Sequence, residues 1–183
     1  MPNVTKLSRR PTSSSPVLPV PSIPTVWDLT DAVAPLETII NGMVFYEFSD
    51  LDSQQMHTEI TIPSNYIASS AISLESGMFY TAPVAGNVLF KAQVSLIRPS
   101  STVEGTYPNN YLSTNVQIPV SIVSNQFTEI PSIDLSSVLG VIGIAVLPND
   151  RLKVTFYRDI ANESPSCAGS VFLLQKSFVV KFS

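Results

Sequence analysis

The sequence predicts an all-β chain: a single jelly-roll-like β-sandwich of about eight strands with an extended N-terminal arm. Three observations predict it. From Met43 onward apolar residues alternate with period two, and breakers recur at strand-length intervals. Almost nothing reads as helix and the loops are long, which favours a sandwich, a jelly roll above all, over a parallel α/β sheet. The first 27 residues carry Pro11, Pro16, Pro19, Pro21 and Pro24 among serines and single apolar residues, and cannot fold alone. An immunoglobulin-like sandwich is the alternative; its antibody form shows a Cys…Trp…Cys pattern that is absent here. The expected domains are an arm at 1–27, a connector at 28–42 and the sandwich at 43–183.

In the arm, Pro16-Val-Leu-Pro19 and Pro21-Ser-Ile-Pro24 favour polyproline II over helix or sheet, because proline fixes φ and lacks a donor. Flexible linkers are rich in glycine and serine; here Val17, Leu18, Pro19, Val20, Ile23 and Val26 form an apolar strip suited to lying along a partner's surface. Trp27 closes the arm and is expected to pin it to the body or to a neighbour. In the connector, Thr30 or Asp31 could cap a short helix that Pro35 would limit.

Val44–Ser49 reads as the first strand. His57–Ile62 is the second, with Thr58, Ile60 and Ile62 on one side and His57, Glu59 and Thr61 on the other; Pro63–Tyr66 is a corner. Ala71–Thr81 is a third strand, bulged at Gly77, and Pro83–Gly86 a turn. Asn87–Arg98 is the clearest strand: Val88, Phe90, Ala92, Val94 and Leu96 share one face, Lys91, Gln93 and Ser95 the other. A polar loop, Pro99–Ser113, leads to Asn115–Val123, where Pro119 predicts an edge strand. Gln126–Ile133 follows. Asp134 caps a helical turn over Asp134–Leu139. Arg151–Asp159 directs Leu152, Val154 and Phe156 inward. Val171–Phe182 closes the chain and is apolar on both faces, so Val171, Leu173 and Val179 are candidates for a surface covered by another subunit.

Composition points the same way. The chain is 44% hydrophobic and only 13% charged, with mean hydropathy +0.25, against about 25% charge in ordinary soluble domains. Few charges are left to dress a monomer, so partner subunits are expected to cover part of the surface. Net charge is −4. Lys6, Arg9 and Arg10 are too few for a nucleic-acid arm. No apolar run reaches membrane-spanning length, and the N-terminus lacks the run of a signal peptide. Lone Cys167 excludes an intramolecular disulfide and reads as a small buried residue.

The residue types that do chemistry are sparse, and neither catalytic nor metal-binding residues nor a cofactor are expected. The one histidine, His57, reads as an exposed strand residue; it has neither the neighbours of a zinc site nor a Gly-x-Ser-x-Gly serine to activate. Asp50-Leu51-Asp52-Ser53 lacks the glycine and terminal glutamate of a calcium loop. Asp150, Asp159 and Glu163 sit in or beside turns, ungrouped with another acid, and Arg158-Asp159 reads as a strand end that pairs locally. Tyr107-Pro108-Asn109-Asn110-Tyr111 is the one segment that looks like a recognition tip, a candidate for a host surface glycan, with Tyr107, Asn109, Asn110 and Tyr111 at the contact.

The order Ile62-Pro63-Ser64-Asn65-Tyr66, Gly86-Asn87-Val88-Leu89-Phe90, Leu147-Pro148-Asn149-Asp150-Arg151-Leu152, Phe156-Tyr157-Arg158-Asp159 and Ala168-Gly169-Ser170-Val171-Phe172-Leu173-Leu174 resembles that of small single-jelly-roll virion proteins of tailed bacteriophages. The resemblance covers 43–183 and its motifs are short. Asn149 stands where a Pro-Gly-Asp turn would be expected; asparagine also tolerates left-handed φ. The resemblance implies a trimeric structural protein of the virion, assembled in the host cytoplasm. It would decorate the capsid or form a head fibre, with its arm on the major capsid protein or another virion protein. The alternative is a tail-fibre or receptor-binding adhesin. Neither is an enzyme.

Overall fold

The computed structural model describes residues 22–29, 33–52, 54–68, 70–81, 86–97, 113–122, 126–140, 143, 145–163 and 169–183. Its strands are β1 (Ile23–Pro24), β2 (Leu36–Ile40), β3 (Met43–Phe48), β4 (Gln55–Thr61), β5 (Ile72–Glu75), β6 (Met78–Thr81), β7 (Gly86–Ile97), β8 (Ser113–Ile122), β9 (Phe127–Glu129), β10 (Ile133–Asp134), β11 (Arg151–Arg158), β12 (Val171–Leu174) and β13 (Val179–Phe182), with one helical turn, α1 (Leu135–Gly140), and a 3-10 turn at Ile160–Asn162. All pairings are antiparallel. One sheet has the order β4-β11-β7-β8. Opposite it, β2-β3-β12-β6-β9 continues into β1-β13-β5-β10, because β5 with β6, and β12 with β13, are successive pieces of interrupted strands. Joining those pieces, and β9 with β10, and setting aside the flanking strands β1 and β2, leaves eight principal strands. Numbered in chain order, they lie first-eighth-third-sixth in one layer and second-seventh-fourth-fifth in the other. That order is a jelly roll.

The interruptions have local causes. Ser76 takes a positive φ of 64° between β5 and β6, and at Gly77 the ring of Phe178 occupies the space a Cβ would need. The expected single strand over 71–81 is therefore two strands in two sheets. Likewise Val171–Phe182 is two strands joined by a turn in which Lys176 has φ 62°. That turn changes the phase of the alternation: Val171 and Leu173 point inward in β12, Val180 and Phe182 in β13.

Between the layers the aromatic rings interlock. Phe90 stacks on Phe156 at 5.0 Å and meets Phe79 edge-on at 5.3 Å, and Phe156 meets Phe178 at 5.3 Å. Trp27 packs on Phe156 and Phe178 at 6.0 and 5.6 Å, geometries that favour ring edges on faces. The expected inward faces of the strands at 87–98 and 151–159 are as observed, with Val88, Phe90, Ala92, Val94, Leu96, Leu152, Val154 and Phe156 all buried. Strand β8, with Pro119, is an edge strand as expected. Asp134 caps α1, its Oδ1 accepting from the Ser137 amide at 2.9 Å, and Asn149 sits at φ 68°.

Two expected boundaries move. The stretch 28–42 is not merely a connector: Leu36–Ile40 pairs with β3, and Asn41 and Gly42 turn between them at φ 51° and 77°. Both central residues of that two-residue turn need positive φ, which Asn-Gly supplies. No helix forms over the described part of the stretch. The body also begins before residue 28. Ile23–Pro24 pairs with β13, the Thr25 amide and hydroxyl both donate to the Phe178 carbonyl at 3.2 and 2.9 Å, and Trp27 is core.

Candidate association face

An antiparallel sandwich normally shows solvent a polar outer face on each sheet. The sheet β4-β11-β7-β8 does so. Its register sets Gln55 beside Tyr157 and Lys91, His57 beside Thr155 and Gln93, and Glu59 beside Lys153 and Ser95. The other layer differs. Across β2-β3-β12-β6-β9 one outward row runs Leu36, Glu47, Phe172, Tyr80, Phe127. A neighbouring row holds Thr38, Phe45 and Leu174, and Met78 stands opposite Glu129.

These outward side chains form a cluster of their own. Phe45 and Phe127 stack at 6.2 Å with their planes 18° apart, and Tyr80 lies 6.0 Å from Phe127 and 6.3 Å from Phe172. Phe45 is buried, yet it is separate from the core between the sheets. At the rim Leu36 is 65% exposed, Phe127 44%, Met43 41% and Met78 36%. Contiguous apolar patches of this kind mark interaction surfaces when they exceed a few hundred Å². Glu47, which accepts from the Thr38 hydroxyl at 3.2 Å, and Glu129 give the face its charge.

The residues singled out in the sequence fall in different places. Val171 and Leu173 are fully buried by their own chain, so they cannot meet another subunit; the outward residues of that strand are Phe172 and Leu174. Val179 is half-buried at the β1 side of the layer, opposite Pro24 and Glu75. Trp27 pins the arm to its own body and, being core, cannot contact a particle. Ile23 is spent on pairing with Val180, and Val26 is exposed. Val17, Leu18, Pro19 and Val20, the recognition tip Tyr107, Asn109, Asn110 and Tyr111, and Cys167 lie outside the described residues. So does most of the expected turn before β7 and of the polar loop after it.

His57 is half-buried rather than exposed. The segment around Asp28 runs along the edge of β4, exchanging both backbone hydrogen bonds with His57 at 2.7 and 3.2 Å, and Asp28 Oδ2 lies 3.5 Å from His57 Nε2. Asp50 is structural: its Oδ2 accepts from the Gly169 amide at 2.8 Å. Asp150 Oδ2 accepts from the Leu147 amide at 2.8 Å, closing the turn before β11.

Arg158 does pair locally, though the acids are more closely grouped than expected. Its guanidinium is completely buried and donates from Nε and Nη2 to the two Glu163 oxygens at 2.8 and 2.9 Å, and from Nη1 to the Gly169 carbonyl at 2.7 Å. Beside it Asp159 binds Lys91 and accepts from Asn162 Nδ2 at 2.8 Å. The hydrogen bond to Asp159 holds the Lys91 ammonium above its ordinary pKa. This cluster ties the end of β11 to the segments around 49 and 169, and each acid faces a cation.

One open cleft, about 510 Å³, lies beside α1 and is lined in part by Tyr66, Asp134, Ser136 and Ser137. Of its polar side chains, Tyr66, Asp134 and Ser136 are already hydrogen-bonded within the chain. Asp134 Oδ1 accepts from the Ser136 hydroxyl at 2.7 Å, and the Tyr66 hydroxyl donates to the Ser70 carbonyl at 2.5 Å. Burial, and then the Asp134 charge, raise the Tyr66 pKa. Among the described residues no group of three or more His, Cys, Asp or Glu could hold a metal ion, and no helix is long and apolar enough to cross a membrane.

No family model matches the chain, and no curated protein matches it. Among solved structures, a carbohydrate-binding module specific for non-crystalline cellulose is similar over 86% of this chain and 87% of its own, with TM-score 0.46 and 13% identity. A module in complex with β-1,4-galactotriose is similar over 76% and 71%, with TM-score 0.34 and 15% identity. A carbohydrate-binding module of a β-sandwich superfamily, with promiscuous specificity, is similar over 86% and 55%, with TM-score 0.33 and 6% identity. Likeness at this level carries no argument about ligand or activity.

Proposed function

We propose that the protein is a structural virion protein of a tailed phage, a homotrimeric capsid-decoration or head-fibre subunit that acts by association and catalyses nothing. The outer face of β2-β3-β12-β6-β9 carries this reading. It presents Leu36, Met43, Met78 and Phe127 to solvent around an aromatic cluster, while the opposite outer face is polar. Burying such a face on a neighbour recovers about 25 cal/mol per Å² of apolar surface. Three linked copies then convert a weak contact with the particle into a durable one through effective concentration. The N-terminal segment before Ser22 is the element that reaches other proteins of the particle.

Sedimentation of the full chain tests the association. The wild type is expected as a trimer, and a Leu36→Ser, Phe127→Ser chain as a monomer with an unchanged circular-dichroism spectrum. A wild type that sediments as a monomer at tens of micromolar would overturn the reading. Particles lacking the protein, challenged with the full chain and with one lacking residues 1–21, test the anchor.

A second reading is an adhesin for a host surface glycan. It draws on the polar grid of β4, β11 and β7, where Gln55, His57, Lys91, Gln93 and Tyr157 place donors and acceptors on one face. Binding on a glycan array that disappears in Gln93→Ala and Tyr157→Ala would favour it over a purely structural role.

A further inference from the structure

The identity of what covers the apolar face follows from three observations taken together. The face is aromatic as well as apolar: Phe172, Tyr80 and Phe127 stand side by side in one register row, with Phe45 stacked on Phe127. Surfaces of this kind take proline-rich segments, since pyrrolidine rings pack on aromatic rings and a polyproline II strip loses little entropy on docking. The chain carries such a strip, Pro16-Val17-Leu18-Pro19-Val20-Pro21, with Pro16 and Pro19 one polyproline turn apart.

Charge does not oppose it. The face carries Glu47 and Glu129, whereas residues 16–21 carry no charge. Two such faces packed on each other would bring acids together; the uncharged strip would not.

The direction of the chain favours a second copy as the one that receives it. β1 is antiparallel to β13, with Pro24 opposite Val179 and Ile23 opposite Val180. β13 runs away from β12 and from the aromatic face. Followed back from Pro24 to Ile23, the chain therefore points away from its own face. At about 3.1 Å per residue the preceding segment can reach on the order of 60 Å, enough to cross onto a second copy.

We propose that residues 16–21 of one copy lie across the outer face of β3, β12, β6 and β9 of a second copy. Residues 1–15 then remain to meet the particle. The proposal rests on the association reading.

Two experiments on the full chain test it. In the first, a benzoylphenylalanine replaces Val20 in a mixture of isotopically heavy and light chains that have exchanged subunits, and the photo-crosslinks are mapped by mass spectrometry. Heavy–light crosslinks to peptides containing 43–48, 78–81, 127–129 or 171–174 are expected. Crosslinks to that face only within one copy, or none to it, overturn the proposal. In the second, sedimentation compares Leu18→Ser, Val20→Ser with Leu36→Ser, Phe127→Ser. Each pair is expected to weaken association by about tenfold or more, and all four changes together by no more than the stronger pair. If the face pair weakens association and the strip pair does not, the bodies join face to face: the proposal fails and the association reading stands. A trimer indifferent to both pairs also overturns it. A monomeric wild type defeats both readings together.

Discussion

Replacing Glu163 by alanine removes the counter-charge of a guanidinium that has no access to water. Arg158 and the Glu163 side chain are both 0% exposed. The carboxylate takes two charge-assisted hydrogen bonds from Arg158, at 2.8 and 2.9 Å, and a third from the Leu89 amide at 3.2 Å. In Glu163→Ala the guanidinium keeps the Gly169 carbonyl at 2.7 Å and longer contacts to Ser49 and Phe48 carbonyls at 3.4 and 3.5 Å. Those dipoles do not neutralise a buried positive charge. Breaking one side of a buried pair costs about 3–5 kcal/mol. Counting about 1.5–3 kcal/mol for each of the two bonds to a charged group gives a similar figure. Against a total stability of about 5–15 kcal/mol this is a large loss. With a urea m-value of about 2 kcal/mol/M, the midpoint should fall by roughly 2 M. The double variant Arg158→Met, Glu163→Leu removes both charges and should recover most of the loss, because well-packed apolar replacements of buried pairs are often neutral. The assay is urea unfolding followed by near-ultraviolet circular dichroism, at one fixed protomer concentration because association would otherwise shift the midpoint. A Glu163→Ala chain with a native spectrum and a loss below about 1 kcal/mol would refute the reasoning.

Gly77→Ala should destabilise by about 1–3 kcal/mol in the same assay, since the added methyl meets the Phe178 ring, which Trp27 and Phe156 hold in place. Trp27→Ala should cost about 3–5 kcal/mol. Trp27 is the only tryptophan, so the wild type should show blue-shifted emission that moves red in one step on unfolding. The contributions of Tyr66 and Lys91 to stability should be constant up to about pH 10 and then fall. Tyr66 and Lys91 have folded pKa values raised above their ordinary 10.0 and 10.5. Below those values both groups keep their protons in both states; as pH rises past them the unfolded chain releases protons first, and the stabilisation is lost. Titration followed by circular dichroism checks this, and Tyr66→Phe should remove the part that begins near pH 10.

Much of the sandwich was legible because its signals are local. Strands β7 and β11 alternate cleanly, with one face buried and one polar, so their inward residues could be named from period alone. The cap at Asp134 and the left-handed turn at Asn149 follow from residue chemistry within a few positions. The hairpin of β2 and β3 was just as legible, through Asn41-Gly42, but the apolar residues before it were read as a connector. The candidate interface residues were misplaced for a different reason. Val171–Phe182 looks like one strand apolar on both sides, and only the turn at Lys176 reverses which side faces the core. The signal for the outward cluster, Phe172 and Leu174, was present in the same alternation. Period two separates two sets of residues but does not say which set is inside.

By itself, then, the sequence determined that this chain is a sandwich of short antiparallel strands with few charges and few reactive groups. It also determined that a proline-stiffened basic segment precedes them. Those properties are composition and short-range periodicity, which need no knowledge of distant neighbours. Tertiary structure alone decided the rest. It sets the jelly-roll order of the strands, and it draws Trp27 into the core from beyond the expected arm boundary. It gathers Arg158, Glu163, Asp159 and Lys91 into one buried cluster. It also aligns Leu36, Glu47, Phe172, Tyr80 and Phe127, residues from five strands, in a single outward row. The physical reason is that each of these depends on which strands pair and in what register, and pairing is settled by packing two faces around one core.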